Sequence, residues 1–415
     1  MLDYKELIPI VKGCLTMTLT TPQVLAEYPL ESLAHRIEGA SVLGNAPLLV
    51  SGLVHPALVK MPSHMAYIAS EGAWQALLGG AKLGLVEESL AIPDAVQAKI
   101  DASEIGLLVV PRSRVALAVL LDVFERRAVL DEGIHPQAFV HPTAQLGEDV
   151  RIGAFASVGE NSVLEDGVQI YPNVTVGADV QIGAGSILYA GVRIGDRCEL
   201  GKRCILQPNA VIGADGFSYV TPKEARHEKK SSNTEEGFDA ILRINSIGNV
   251  VLEDDVEVGA CTCIDRGTLA ETRIGKGTKL DNLTQIGHNN RIGEQCLIVS
   301  QVGIAGSCKI GNGVVIAGQV GVGDHLNIGD NAIVMACSAV MRDIDAGAIM
   351  LGSPALPHKE AMANIAAVMK LRDVIKGVKG MQAKFKDFEE KAAQIDALLA
   401  LVPEEMKASL AGASE

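Results

Sequence analysis

Two histidines in the second half of the chain have neighbours suited to acyl transfer. His288 follows Ile286 by two residues, and Gly306 follows His288 by 18. A histidine can take a proton from an amine or hydroxyl that attacks an acyl carbonyl, and an unobstructed backbone N–H can stabilise the resulting oxyanion. We therefore predict that His288 is the base and Gly306 the oxyanion donor. His325, which lies 37 residues after His288, is predicted to orient the substrate or a neighbouring group.

These spacings have meaning because the chain repeats. An aliphatic residue recurs at every sixth position over residues 140–212 and again over 250–340, where Thr262 and Thr268 take two of the positions. A fixed period of this kind indicates a stacked architecture. Three hexads form one coil of a parallel β-helix, so residues 18 apart are stacked. Most of this regularity only builds a core, which gains roughly 1.5–3 kcal/mol for each buried aliphatic side chain.

The remaining sequence divides around this repeat. Residues 29–134 lack the hexad and mix apolar runs with helix-like stretches, which predicts a small α/β domain. Ile212 and Val250 are 38 residues apart, which is not a multiple of six, so the segment between them must loop out. The predicted divisions are an extension (1–28), the α/β domain (29–134), the β-helix (135–346) with an insertion at about 218–247, and a helical segment (347–415).

The helical segment has an apolar seam at spacings of three and four residues. The seam comprises Leu371, Val374, Val378, Met381, Phe385, Phe388, Ala392, Ile395 and Leu399. We favour association between subunits over a helix packed on its own subunit. Four basic residues, Lys370, Arg372, Lys376 and Lys379, are predicted to contact an acidic carrier protein. A solvated helix face is the alternative.

Composition narrows the choice of protein class. A formal charge of −14 argues against a nucleic-acid-binding protein. No secretory signal or membrane span is expected, so the chain is interpreted as cytoplasmic. Most of the eight cysteines fall in β-helix coils, where small buried thiols are expected. Cys261 and Cys263 share a strand face, but no second cysteine pair would complete a zinc site, and no metal is predicted.

Four segments closely resemble one family. They are AVIGADGF (210–217), GACTCIDRG (259–267), DNLTQIGHNNRIG (281–293) and GIAGS (303–307). These segments resemble the UDP-3-O-acylglucosamine N-acyltransferases of lipid A biosynthesis, and the resemblance runs from about residue 29 to the C-terminal helix. It implies a homotrimer of left-handed parallel β-helices with active sites between subunits. It also implies transfer of a 3-hydroxyacyl chain from acyl carrier protein to the 2-amino group of UDP-3-O-acylglucosamine, with no cofactor beyond the carrier's thioester.

The resemblance also assigns residues. The family's catalytic base matches His288, its oxyanion glycine matches Gly306, and its second histidine matches His325. Its aspartate near the base matches Asp281. The base assignment agrees with the chemistry, because an acceptor amine is mostly ammonium at neutral pH and must lose a proton before it attacks.

Substrate contacts are predicted on both domains. Gln285 and Asn289 are predicted to hydrogen-bond the sugar or phosphates. The family binds uridine through a segment of the type Phe-x-x-Asn-Pro-Lys-Tyr, and Tyr67 matches its stacking aromatic residue. Ser70 replaces the Asn, and the Pro-Lys-Tyr element is absent. A core position for Tyr67 is the alternative.

Several other functions are open at this point. The chain could be a hexapeptide-repeat acyltransferase that acts on another UDP-amino sugar, or an O-acyltransferase of UDP-N-acetylglucosamine, although the N-terminal domain argues against the latter. A β-helical zinc hydratase would need three converging histidines, and only His288 and His325 lie on the helix wall beyond its first coil. A non-catalytic solenoid would leave the stacking of His288 and Gly306 without a purpose.

Overall fold

Three parallel sheets enclose the core of the larger of two units. The structure is a computed structural model and describes residues 27–44, 49–125, 130–221, 241–352 and 358–401. The units are residues 1–129 and 130–415. The expected extension lies almost wholly outside the described residues, as does most of the insertion. The fold class predicted from the hexads, a parallel β-helix with an α/β unit and a C-terminal helix, is confirmed.

The three faces of the β-helix have ten, ten and nine strands. The face that bears His288, called the site face, consists of Phe139–Val140, Ser157–Val158, Thr175–Val176, Arg193–Ile194, Val211–Ala214, Cys263–Asp265, Gln285–Ile286, Gly303–Ile304, Gly321–Val322 and Ala339–Val340. The second face consists of Arg151–Ile152, Gln169–Ile170, Ile187–Leu188, Ile205–Leu206, Glu257–Val258, Lys279–Leu280, Leu297–Ile298, Val315–Ile316, Ile333–Val334 and Ile349–Met350. The third face consists of Gln145–Leu146, Val163–Leu164, Gln181–Ile182, Glu199–Leu200, Asn249–Leu252, Glu271–Ile274, Arg291–Ile292, Lys309–Ile310 and Asn327–Ile328.

The strands pair in register at the predicted spacing of 18 residues. Ile286 pairs with Ile304, which pairs with Val322, and all three side chains are buried. Corners between strands use left-handed backbone, as at Asn289 and His325, where φ is 60° and 57°. Asn and His are among the side chains that tolerate this region best. The repeat therefore fixes which side chains share one wall.

The predicted register was wrong at the start of the second run. Leu252, Val258 and Ile264, not the residues two positions earlier, pair with Leu200, Leu206 and Ile212 of the preceding coil. Val250, Val256 and Thr262 are buried at the second inward position of each hexad. Ile264 pairs with Ile286, so this coil has 22 residues instead of 18. The extra length forms a corner at residues 266–270, called the wide corner, and Thr268 lies there instead of in the core.

A β-hairpin stands beside the site face at the expected insertion. Tyr219–Val220 pairs antiparallel with Leu242–Arg243, and residues 222–240 between them lie outside the described residues. Its apolar side chains are exposed, as is Phe217 just before it. This hairpin thus contains the two ends of the segment that the sequence predicts to loop out.

The smaller unit is an α/β sheet covered on both faces. Its near-continuous apolar strands are typical of a buried parallel sheet, and separate apolar clusters cover its two sides. The sheet order is Ser41–Leu43, Gly106–Val110, Leu83–Glu87, His64–Ile68 and Gly52–Val54, the first strand being antiparallel. Tyr28–Pro29 and Leu49–Val50 form a further pair, and the helices are Leu30–Ala34, Pro56–Leu58, Glu71–Trp74, Gln75–Leu78, Asp94–Asp101 and Ser113–Phe124.

The C-terminal helix runs from His358 to Ala400. Its apolar seam is uncovered in a single chain, since Leu371, Val374, Val378, Met381, Phe385, Phe388 and Ile395 are 42–69% exposed. A stable helix normally buries such a stripe against a partner. No helix of the described residues is long and apolar enough to cross a membrane.

Candidate active site

The imidazole of His288 is held between two glycines. A Cβ atom at Gly306, in the coil above, would lie 2.8 Å from both Cε1 and Nε2 of His288. A Cβ atom at Gly216 would lie 2.7 Å from Cβ and Cδ2 of the same residue. Contacts this short do not occur between real side chains, so a side chain at either position would force His288 to move. The ring edge that bears Nε2 thus faces the backbone of Gly306.

A hydrogen-bond chain sets the protonation of this ring. Nδ1 of His288 lies 2.9 Å from Oδ1 of Asn289, and that oxygen also accepts from the N–H and the hydroxyl of Thr268, each at 3.1 Å. An atom that accepts from a backbone N–H is the amide oxygen and not the amide nitrogen. Nδ1 must therefore carry the hydrogen, and Nε2 keeps its lone pair toward Gly306.

The N–H of Gly306 is free to act as an oxyanion donor. At six other corners, an Asp or Asn side chain from the next coil accepts the hydrogen bond of the equivalent N–H, at 2.7–3.0 Å. Asp324, which is 18 residues after Gly306, has the capping position here. Within the described residues, no acceptor is bonded to the Gly306 N–H, whereas its carbonyl accepts from the N–H of His325 at 3.0 Å.

These groups line a cavity of about 650 Å³. Its wall also includes Gln285, His325 and three aspartates, Asp215, Asp265 and Asp324. Arg243 and Arg266 lie beside Asp215 and balance its charge. Arg266 also donates to the Gly213 carbonyl at 2.7 Å, which ties this wall to the coil below. Asp215 is therefore a structural anchor of the wall.

Asp265 differs from Asp215 in its electrostatic surroundings. Burial raises the pKa of Asp265 above its usual value, although a hydrogen bond from Gln285 and the charge of His288 act in the opposite direction. Such a perturbed carboxyl in a cleft, next to an imidazole, marks a candidate functional group. No arginine or lysine is bonded to it within the described residues.

A flat strip leads from the cavity toward the end of the β-helix. The outward residues of successive strands on the site face are Gly303, Gly321 and Ala339, which pair in that order. A Cβ atom at either glycine would meet nothing within 4 Å. The strip, called the glycine strip, therefore presents no side chain between Gly303 and the methyl group of Ala339.

The structure brings five of the predicted site residues together. His288, Gly306, His325 and Gln285 line the cavity, and Asn289 supports His288 from behind. Asn289 faces the ring of His288, not a sugar or phosphate site, because its oxygen is already engaged.

Asp281 lies elsewhere. It caps a corner of the second face, where Ser300 and the Asn282 N–H donate to its carboxylate. These hydrogen bonds, the Ser300 hydroxyl first, lower the pKa of Asp281. In the single chain Asp281 does not line the His288 cavity.

The predicted uridine residues lie apart from each other. Tyr67 packs against the cluster around Leu108 and Leu120, and its hydroxyl donates to Ser113 at 3.3 Å. Ser113 in turn donates to Glu87 at 2.7 Å and lowers the pKa of that carboxyl. Ser70 instead lines a separate cavity of about 480 Å³ with His55 and Gln75. The geometry of this unit thus favours a supporting position for Tyr67.

The predicted carrier-protein residues are exposed on the C-terminal helix. Arg372, Lys376 and Lys379 lie at spacings of four and three and share one face. Lys370 precedes Arg372 by two residues, so it points roughly 200° away around the helix. The four residues do not form a single patch.

The cysteines are unpaired thiols throughout the described residues. Cys198, Cys204, Cys296 and Cys308 are buried as expected, and burial raises the pKa of Cys204 to about 11. The expectation was wrong for Cys261, which is exposed at a corner. In the described ranges, no three His, Cys, Asp or Glu side chains are arranged to hold a metal ion.

Sequence reasoning missed Gly216, Asp265 and Thr268 as site residues. Gly216 and Asp265 lie in the quoted segments AVIGADGF and GACTCIDRG, so the sequence contained a signal for both. Thr268 was assigned to the core because the hexad count was carried through the wide corner.

Comparisons with known proteins place the chain among hexapeptide-repeat proteins. Residues 134–218 match the family model of the GMPPB C-terminal domain. The UDP-3-O-acylglucosamine N-acyltransferase of Syntrophotalea carbinolica is 41% identical over 308 residues, which cover 74% of this chain and 85% of that protein. The protein of the same name from Anaeromyxobacter dehalogenans is 42% identical over 199 residues, which cover 48% of this chain and 54% of that protein. The solved Arabidopsis UDP-N-acetylglucosamine acyltransferase aligns with a TM-score of 0.44 and 22% identity, covering 53% of this chain and 71% of that one.

Proposed function

This chain belongs to the family of UDP-3-O-acylglucosamine N-acyltransferases, and we propose that it transfers a 3-hydroxyacyl chain from acyl carrier protein to the 2-amino group of UDP-3-O-acylglucosamine. The product is UDP-2,3-diacylglucosamine, a precursor of lipid A. The observation that carries this proposal is the arrangement of His288 and Gly306, in which a basic Nε2 adjoins an uncapped backbone N–H. The left hand of the β-helix belongs to this family fold.

The proposed reaction needs one base and one oxyanion donor. The acceptor amine attacks the thioester carbonyl carbon, and Nε2 of His288 takes a proton from the amine as the C–N bond forms. The carbonyl oxygen becomes an oxyanion and accepts a hydrogen bond from the Gly306 N–H. When the C–S bond breaks, the departing thiolate takes the proton from the His288 imidazolium. The proton that His288 takes from the attacking amine is thereby returned to the carrier's thiol.

Asp265 gives the cavity a preference for an amine acceptor. An amino sugar arrives mostly as the ammonium form, and a carboxylate without a basic partner attracts that cation. Asp265 and His288 together line the cavity, so the ammonium group is held where its proton can pass to solvent and its nitrogen can face Nε2. A hydroxyl acceptor would gain no such attraction.

The glycine strip offers a place for the acyl chain. Gly303 and Gly321 present no side chain, and Ala339 presents only a methyl group before the end of the β-helix. An extended chain attached at the Gly306 oxyanion site can lie along these positions with little obstruction. We propose that the transferred acyl chain follows this strip.

The assembly and location are further proposals. We propose a homotrimer, supported by the uncovered apolar seam of the C-terminal helix, with acyl carrier protein bound near the exposed Arg372, Lys376 and Lys379. The unpaired thiols of the described residues are typical of a reducing compartment, which supports a cytoplasmic location. Mass measurement by light scattering in solution tests the trimer directly.

A second acceptor sugar is favoured by one observation. The nucleotide-binding segment departs from the family pattern, and Tyr67 and Ser70 do not line one cavity. If UDP-3-O-acylglucosamine is a poor acceptor for folded enzyme, other UDP-amino sugars are the next candidates.

The test uses purified protein with UDP-3-O-acylglucosamine and a 3-hydroxyacyl-acyl carrier protein, followed by mass detection of the N-acylated sugar. His288→Ala is expected to lower kcat by roughly 10²–10⁴-fold. His141→Ala, which changes a half-buried histidine of the first coil, is the matched control and should retain native activity. Native turnover that survives His288→Ala would refute the mechanism.

A further inference from the structure

We propose that Thr268 is a positioning residue that fixes the tautomer of His288 through Asn289. The inference rests on the proposed acyl transfer, since it explains how His288 is kept ready as a base. Neither the hexad pattern nor the family resemblance gave Thr268 a role. The wide corner that contains it is absent from the 18-residue coils that follow, where strands pair at the regular spacing.

The geometry begins at the wide corner. Its extra residues bring Thr268 next to Asn289 in the coil above, and both donors of Thr268 converge on one atom. The backbone N–H and the side-chain hydroxyl each lie 3.1 Å from Oδ1 of Asn289. Thr272, in the strand Glu271–Ile274 that follows this corner, accepts from the Asn289 N–H at 2.9 Å. Hydrogen bonds thus hold Asn289 at both its backbone and its side chain.

The two contacts with Thr268 decide which way the side-chain amide of Asn289 faces. The backbone N–H of Thr268 can only donate, so it excludes the amide NH₂ group from this position, and the hydroxyl, which donates to the same oxygen, holds the amide in place. The oxygen therefore faces both Thr268 and Nδ1 of His288, which is 2.9 Å away. Nδ1 must donate, and the hydrogen of the neutral ring is placed on the nitrogen away from Gly306.

Reversal of the amide would inactivate the base. An NH₂ group facing Nδ1 would require a lone pair there and would move the ring hydrogen to Nε2. An Nε2–H beside Gly306 cannot take the proton of an attacking amine. The Thr268 contacts oppose this reversal, so their effect should appear in the proton-transfer step and not in substrate binding.

Other charged groups face the ring but are independent of Thr268. Asp265 lies on the strand below, Asp215 with Arg243 and Arg266 lies beside Gly216, and Asp324 and His325 lie at the corner above. A change at Thr268 removes no charge from this set. Any change in pH dependence would therefore come from the ring's hydrogen bonding.

The variants are Thr268→Val, which keeps the shape and the N–H but removes the hydroxyl, and Thr268→Ser, which restores it. We expect Thr268→Val to lower kcat about fivefold, the effect of one neutral hydrogen bond, with KM unchanged and the acidic limb of the pH–rate profile displaced. Thr268→Ser should restore both. Thr278→Val is the matched control, because Thr278 is a buried threonine whose hydroxyl bonds only to backbone, and it should leave kcat and the pH profile as in native protein.

A second readout does not need turnover. Ring ¹⁵N NMR of histidine-labelled protein, with the His288 signals assigned by their loss in His288→Gln, reports the tautomer. Native protein and Thr268→Ser should show the Nδ1–H form, and Thr268→Val should show a larger Nε2–H fraction. An unchanged tautomer with native kcat in Thr268→Val, or a loss that Ser does not restore, would overturn the proposal. Absence of N-acylated product from native protein would instead count against the proposed function, with the NMR comparison still deciding the role of Thr268.

Discussion

The ring of His288 occupies the space that a side chain at Gly306 would need, since a Cβ atom there would lie 2.8 Å from Nε2. The proposed base and the proposed oxyanion donor are therefore neighbours in adjacent coils. We expect Gly306→Ala to displace the imidazole and lower kcat about 10²-fold, the scale of a 1 Å misplacement of a reacting group. Steady-state kinetics measure this. Gly318→Ala is the control, because its new methyl would meet its nearest neighbour at an ordinary 3.5 Å. Equal activity in both variants would contradict the predicted contact.

Replacement of Asn289 by Asp should shift the pH dependence. A carboxylate at the position of Oδ1 still accepts from Thr268 and from Nδ1, but it adds a negative charge beside the ring. That charge stabilises the imidazolium, so the acidic limb of kcat/KM should move to higher pH. Activity at alkaline pH should remain close to native. Asn289→Leu, which accepts no hydrogen bond, should lose activity at every pH, and a profile that stays in place in Asn289→Asp would argue against this contact.

Two aspartates should have opposite effects on stability. The pKa of Asp265 is raised in the folded state, so its ionised form costs stability above its unfolded pKa, near pH 4. Asp265→Asn should therefore raise the midpoint of thermal unfolding at pH 7.5 while it raises KM for the acceptor sugar.

The pKa of Asp281 is lowered, so its stabilisation is present at pH 7.5 and is lost as pH falls through the folded pKa. Asp281→Asn should lower the unfolding midpoint at pH 7.5 and have less effect at pH 3. Thermal melts of both variants at the two pH values check the signs, and midpoints that move in the same direction at pH 7.5 would contradict them.

Asn290 should be important for the stability of the catalytic corner. Its buried amide donates to the carbonyls of Gly287 and Ala305 and accepts from the Cys308 N–H. Asn290→Val would leave these groups buried without partners, which should cost about 2–4 kcal/mol. Asn290→Thr should recover much of this, because Thr278 makes the equivalent pair of bonds in a neighbouring coil. Denaturant unfolding of the three proteins gives the comparison, and a Val variant as stable as native protein would refute it.

Ala339 should limit the length of the transferred chain. It ends the glycine strip, so Ala339→Met would fill the space that a longer chain occupies. We expect a shorter preferred 3-hydroxyacyl chain in a competition among carrier proteins of several chain lengths. Ala336→Met, which adds the same side chain to another exposed position of that coil, should keep the native preference. An unchanged preference in Ala339→Met would place the acyl chain elsewhere.

The sequence was most informative where the repeat was unbroken. The spacing of 18 residues correctly stacked Gly306 over His288, because every coil between them has the regular length. The spacing failed at residues 250–268, where one long insertion and one wide corner occur close together. Counting in steps of six residues does not detect the shift in register that these two irregularities produce together. Thr268 was placed in the core for this reason, whereas Asp265 was missed although it lies in the segment 259–267 that resembled the family.

The orientations of side chains could not be predicted from the sequence for a different reason. The support that Asn289 gives to His288 depends on which atom of Thr268 approaches the Asn289 amide. The hydrogen bond between Ser300 and Asp281 depends on the rotamer of Asp281 at its corner. The separation of Tyr67 from Ser70 likewise follows from packing on opposite sides of one sheet. Such choices are settled by tertiary contacts and not by residue type.

The uncapped N–H of Gly306 is a small departure from the hydrogen bonding at other corners of the β-helix. At several equivalent corners a carboxylate or amide from the next coil accepts from the same donor, and Asp324 has the corresponding position in the coil above Gly306. The proposed catalysis depends on a local departure from a repeated hydrogen-bond pattern, so a relative that has lost activity could keep every coil intact and differ only by having that one donor satisfied.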